Sequence, residues 1–93
     1  MLNGKKMLVT GADQGLGKEI AKEFLRQGAS VCICSRDENR LLRTAEELER
    51  YRPDKKQRVI FSRADVGNTG DMDALYEVVL QVFGPVDSVV NNP

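Results

Sequence analysis

Four short apolar runs alternate along this chain with three longer stretches whose apolar residues recur every three to four positions. Short, nearly continuous apolar runs suit buried strands, and the longer period suits helices that turn one face to a core. Strands that alternate with helices read as β-α-β units, in which the strands run parallel and each helix crosses back over the sheet. The chain therefore reads βαβαβαβ, of the α/β class.

The first strand is Lys6 to Thr10. A helix from about Leu16 to Gln27 sets Leu16, Ile20 and Phe24 four apart on one face, with Ala21 and Leu25 beside them, and Gly28 ends it. Ser30 to Ser35 predicts a strand buried on both faces. Its two cysteines, Cys32 and Cys34, fall on one face as reduced core thiols, in neither a zinc spacing nor a redox C-x-x-C. Ser35 with Glu38 forms a capping box for a second helix that runs to about Tyr51, turns Leu41, Leu42, Ala45 and Leu48 inward, and is stopped by Pro53. Arg58 to Ala64 is the third strand. Asn68 or Thr69 then caps a helix whose apolar face is Met72, Leu75, Tyr76, Val79, Leu80 and Phe83. Gly84-Pro85 breaks that helix, and Val86 to Asn91 is the fourth strand. Right-handed crossovers imply the strand order 3-2-1-4, with the first two helices on one face of the sheet and the third on the other.

At 93 residues the chain is one domain at most, and no apolar run approaches the ~18 residues of a membrane span. With 41% hydrophobic and 30% charged residues it is neither disordered nor collagen-like. Fourteen basic residues against fourteen acidic ones leave no net charge, so a nucleic acid finds no electrostatic footprint. Histidine is absent, which removes the usual general base and the commonest metal ligand. Reduced thiols, and a start (Met-Leu-Asn-Gly-Lys-Lys) without a signal-peptide apolar stretch, predict the cytoplasm.

Function is most legible in Thr10-Gly11-Ala12-Asp13-Gln14-Gly15-Leu16-Gly17, between the first strand and the first helix. A helix N-terminus offers unpaired N–H groups and partial positive charge to a phosphate, provided that side chains do not block its approach. Gly11 suits the tight turn, Gly15 lets the backbone approach a pyrophosphate, and Gly17 lets the helix pack closely. The spacing is G-x-x-x-G-x-G, which differs from G-x-G-x-x-G. The rival reading as an ATP- or GTP-binding loop fails because Ala12 stands where its first glycine belongs and Glu19 where its magnesium-binding Ser or Thr belongs.

With this loop after the first strand, Gly28-Ala29 before the second, Ala64-Asp65-Val66 closing the third and Val90-Asn91-Asn92 closing the fourth, the chain resembles the short-chain dehydrogenase/reductase family. It is close to the family's oxoacyl-carrier-protein-reductase-like branch. The resemblance runs from about residue 6 to the last residue. It implies a Rossmann-type sheet cut after its fourth strand, residues 1–93 being the NADP-binding half of one domain. It implies that Gly11, Asp13, Gln14, Gly15, Leu16 and Gly17 surround the pyrophosphate, that Asp65 and Val66 lie against the adenine, and that Asn91 lies by the adenosine ribose. A loop-capping acid and a turn residue are the structural alternatives for Asp65 and Asn91. Pro93 departs from the family's alanine.

NAD selection calls for an acidic residue at the end of the second strand, whereas a 2'-phosphate needs that charge absent and an arginine nearby. Ser35 occupies the acidic position and Arg36 follows it, so NADP is preferred over NAD. Asp37 is the competing charge, and its place at the helix start suits a cap.

The resemblance also implies hydride transfer to and from a small carbonyl or alcohol substrate, by a Ser, Tyr and Lys that lie beyond Pro93. Tyr51 and Lys55 satisfy the family's Y-x-x-x-K, but Pro53 between them forbids the continuous helix that would put both on one face. No catalytic residue is therefore expected here. A dinucleotide-binding or interaction module without catalysis is the alternative. With a single helix over one face of four strands and an open fourth strand, the chain is expected to self-associate.

Overall fold

The computed structural model describes residues 2–92. Four parallel strands, β1 (Lys6–Thr10), β2 (Ser30–Ser35), β3 (Val59–Arg63) and β4 (Ser88–Val90), alternate with α1 (Gly15–Arg26), α2 (Glu38–Leu48) and α3 (Thr69–Val82). The strand order is β3-β2-β1-β4, as the right-handed crossovers require.

Because side chains alternate along a strand, β1 and β2 each feed two cores. Met7 and Val9 of β1, with Val31 and Ile33 of β2, meet Ala21 and Leu25 of α1 and Leu41, Ala45 and Leu48 of α2. Leu8, Cys32 and Cys34 point the other way, onto Leu75, Val79 and Phe83 at α3. Two helices thus cover one face and one the other. Both thiols are free and buried, in agreement with the sequence. Cutting a fully buried side chain such as Ile33 to alanine should cost about 2–5 kcal/mol.

Several expected details are corrected. The cap of α2 is Asp37, whose carboxylate accepts from Arg40 N–H at 3.1 Å, so Ser35 and Glu38 form no capping box. Ser35 is still the last residue of β2, two positions too early, and its hydroxyl accepts from Asp37 N–H at 3.2 Å. The second helix closes at Leu48, and a single 3-10 turn, Glu49–Tyr51, leads to Pro53. Asn68 caps α3 by accepting from Asp71 N–H at 3.1 Å.

Leu16, Leu42, Tyr76 and Leu80 are exposed rather than packed. Leu16 lies in the first turn of α1, Leu42 is rotated past the inward Leu41, and α3 seats its Leu75–Val79–Phe83 line with Met72 packed beside it. Both outer strands are shorter than the apolar runs that predict them. At β4 the cause is visible. The Thr10 hydroxyl donates to Val90 O (3.3 Å) and accepts from Asn92 N–H (2.9 Å), so a side chain replaces the ladder at that point. The departure at Pro93 lies outside the described residues.

Candidate functional site

The carboxyl ends of β1, β2 and β3 open on a cleft of about 770 Å³. It lies where the chain leaves β1 for one side of the sheet and β4 completes the other, the place at which open parallel sheets bind ligands.

One wall is the glycine loop. Gly11 and Gly15 have φ of +59° and +61°, which L side chains rarely adopt. A Cβ at Gly15 would meet nothing within 4 Å, so the backbone is bare towards the cleft. A Cβ at Gly17 would strike the Gly11 carbonyl oxygen and lie 2.8 Å from Asn92 Nδ2. Gly17 is thus the close-packing glycine, buried beneath the loop and not part of the cleft wall. Gln14 precedes α1 but makes no side-chain cap, whereas Asp37 and Asn68 cap the other two helices. The first-turn N–H groups of α1 therefore keep their capacity to bind an anion.

Asn92 holds this loop from the far end of the chain. Its amide donates to Gly11 O at 3.0 Å and its backbone N–H donates to Thr10 Oγ1 at 2.9 Å. On the other side, Ala12 N–H donates to Cys34 O at 3.3 Å. Burial pushes the Cys34 thiol up to about 11, against a hydrogen bond from the Gly11 backbone that lowers it. Cys32, buried and beside Cys34, is pushed up to about 12. Neither thiol is a nucleophile at neutral pH.

The second wall carries Ser35, Arg36, Asp37 and Arg40, and the third Ala64, Asp65 and Val66. Of the residues expected at a dinucleotide site, Gly11, Asp13, Gln14, Gly15, Leu16, Ser35, Arg36, Asp65 and Val66 share this one cleft. Gly17 and Asn91 do not line it. Asn91 Oδ1 instead shares the Thr10 hydroxyl proton with Val90 O, at 3.4 Å, the bond of a turn residue, and its neighbour Asn92 takes the place at the cleft. Asp65 accepts from Gly67 N–H at 2.9 Å, so its carboxylate caps the loop while bordering the cleft.

Sequence reasoning missed Asn92 and Arg40. The only signal for Asn92 was the pair of asparagines itself. For Arg40 it was Asp13, an acid inside a phosphate-type loop that needs a counter-charge.

The sequence pattern described as short chain dehydrogenase matches residues 5–93. The chain belongs to the short-chain dehydrogenase family. A curated relative, (+)-neomenthol dehydrogenase of Arabidopsis thaliana, is 38% identical over 85 residues, spanning 91% of this chain and 29% of that protein. L-sorbose reductase from Gluconobacter frateurii, solved with NADPH and L-sorbose, superposes with a TM-score of 0.90 at 33% identity, over 99% of this chain and 34% of that one. The RhlG/NADP complex of Pseudomonas aeruginosa gives 0.87 at 32% identity, over 98% and 35%. The chain thus spans about a third of the length of the proteins it matches.

Within this short-chain dehydrogenase chain, Tyr51 and Lys55 lie away from the cleft. Tyr51 ends the 3-10 turn and packs under Lys22 and Arg26, whose charged groups are 4.9 and 5.1 Å from its ring centre. Lys55 lies past Pro53 in the next loop, so the two do not form a catalytic pair. No helix among the described residues is long and apolar enough to cross a membrane.

Proposed function

We propose that the cleft binds NADP(H) and that residues 1–93 are the dinucleotide-binding half of a Rossmann domain in an NADP-dependent oxidoreductase. The observation that carries this reading is Gly15, bare towards the cleft at the uncapped N-terminus of α1, beside the Ser35–Arg36 corner. The loop N–H groups take the pyrophosphate, Asp65 and Val66 border the adenine, and Arg36 grips the ribose 2'-phosphate with Ser35 leaving room for it. Asn91, behind the cleft, contributes by fixing Thr10 and with it the loop. Two solved relatives hold NADPH or NADP, which supports the choice of cofactor. When bound, NADPH supplies a hydride for the reduction of a small carbonyl compound to an alcohol. Reduced buried thiols support a cytoplasmic setting.

The test is calorimetric titration with NADPH. Gly15→Val puts a branched side chain in the phosphate's path and should weaken binding by more than about tenfold. Unchanged affinity in a folded variant would reject the assignment.

A further inference from the structure

We propose that Arg40 sets the cofactor preference by offsetting part of the charge of Asp13 and Asp37, which lets the Ser35–Arg36 corner accept a 2'-phosphate. The inference rests on the reading of the cleft as an NADP(H) site and adds a residue that this reading does not need.

Arg40 lies in the first turn of α2 and lines the cleft. Its Nη1 is 3.6 Å from Asp13 Oδ2 and its Nε 3.9 Å from Asp37 Oδ2. One turn further on, the buried Thr44 donates its hydroxyl to Asp13 O at 2.9 Å. Asp13 is thereby tied to α2 through its backbone and cannot carry its charge away with the loop. Its side chain is only 13% exposed, so water screens it poorly.

The charged residues bordering the cleft are Asp13, Asp37 and Asp65 against Arg36 and Arg40. With Arg40 in place, both neighbouring carboxylates have a guanidinium partner, while Arg36 forms no ion pair among the described residues and remains available. Without Arg40, an incoming phosphate dianion faces three carboxylates and one guanidinium. Asp37 would then act as the acidic acceptor that suits a 2'-hydroxyl and repels a 2'-phosphate. Arg40 thus acts as a counter-charge, and its loss should alter discrimination between cofactors more than affinity for their shared parts.

Dissociation constants for NADPH and NADH, measured on the whole protein by fluorescence titration at low salt, test this. Arg40→Gln should weaken NADPH by about tenfold and change NADH by less than about threefold, and the difference should shrink in 1 M salt. Arg40→Lys should keep most of the preference. Asp37→Asn, which preserves the helix cap, should tighten NADPH and should restore much of the preference when combined with Arg40→Gln and Asp13→Asn. If the parent prefers NADPH but Arg40→Gln leaves the ratio unchanged, the counter-charge role is overturned and the cofactor reading stands. An Asp37→Asn variant that binds NADPH no better overturns it equally, and does so without touching Arg40. A parent that binds neither cofactor, or both alike, overturns the cofactor reading and this inference with it.

Discussion

Replacing Gly17 with alanine should destabilise the fold, although it exchanges a poor helix former for the best one. Even at the full helix-interior value the exchange is worth no more than about 1 kcal/mol in favour of alanine. Against it stands the packing beneath the glycine loop. The new Cβ would overlap the Gly11 carbonyl oxygen and sit 3.0 Å from the Gly11 carbonyl carbon and 2.8 Å from Asn92 Nδ2. The two Gly11 atoms are backbone and cannot rotate away. Overpacking of this kind costs about 1–3 kcal/mol, and displacing the 3.0 Å bond from the Asn92 amide to Gly11 O adds about 1 kcal/mol. The net loss is about 1–3 kcal/mol, or about 5–20 °C in Tm for a chain of this size. Thermal melting followed by circular dichroism measures it, with Gly70→Ala as the control. Gly70 is also in a helical first turn, but its Cβ would meet only the Asn68 side chain, at 3.3 Å, so that variant should melt at or near the parent temperature. A Gly17→Ala variant as stable as the parent would refute the close-packing argument.

Ser35→Asp with Arg36→Ala should move preference from NADPH towards NADH, because a bidentate phosphate contact worth roughly 1.5–3 kcal/mol is exchanged for an acceptor facing the ribose hydroxyl; equal weakening of both cofactors in titration would assign Arg36 another role. Burial raises both thiols, so the folded state holds their protons: their contribution to stability is full below the ordinary value of 9.0 and is lost as pH climbs towards about 11 and about 12. Denaturant melts should show a decline above pH 9 that is smaller in Cys34→Ala, and a disulfide reagent at pH 8 should leave the folded chain unlabelled. The isolated 93 residues should self-associate, since Tyr76, Val78, Leu80 and Val82 of α3 and Val89 on the outer strand β4 are exposed apolar surface. Light scattering after size exclusion should show oligomers, and a sharply melting monomer would overturn that expectation.

Architecture was legible in the sequence wherever one physical signal acted alone. The period of two along a strand placed Cys32 and Cys34 together on one face, which the structure turns to α3, and Gly28, at φ +99°, ended α1 where a C-terminal glycine should. The glycine loop announced its place because few other reasons collect three glycines between a strand and a helix. Legibility failed where two local signals competed. Ser35 and Asp37 both suit a cap, and only the actual end of β2 decides between them. Tyr76 and Leu80 carry the apolar character of an inward face, but a helix lying alone on a sheet seats a narrower line than its sequence offers. Asn92 and Arg40 were illegible for a different reason. Their partners, Gly11 and Asp13, are 81 and 27 positions away, and no local pattern marks such a pairing.

The clasp of Thr10, Gly11 and Asn92 also bears on the order of events as the chain is made. Local helices close in microseconds or less, whereas contacts across some eighty residues wait for the intervening chain to be organised. On a ribosome, β1, α1 and β2 emerge and can pair long before Asn92 leaves the tunnel. The glycine loop therefore spends much of synthesis next to its strand without the residue that fixes its shape. Its capacity to hold an anion should appear late and abruptly, as a mark that the two ends of this segment have met.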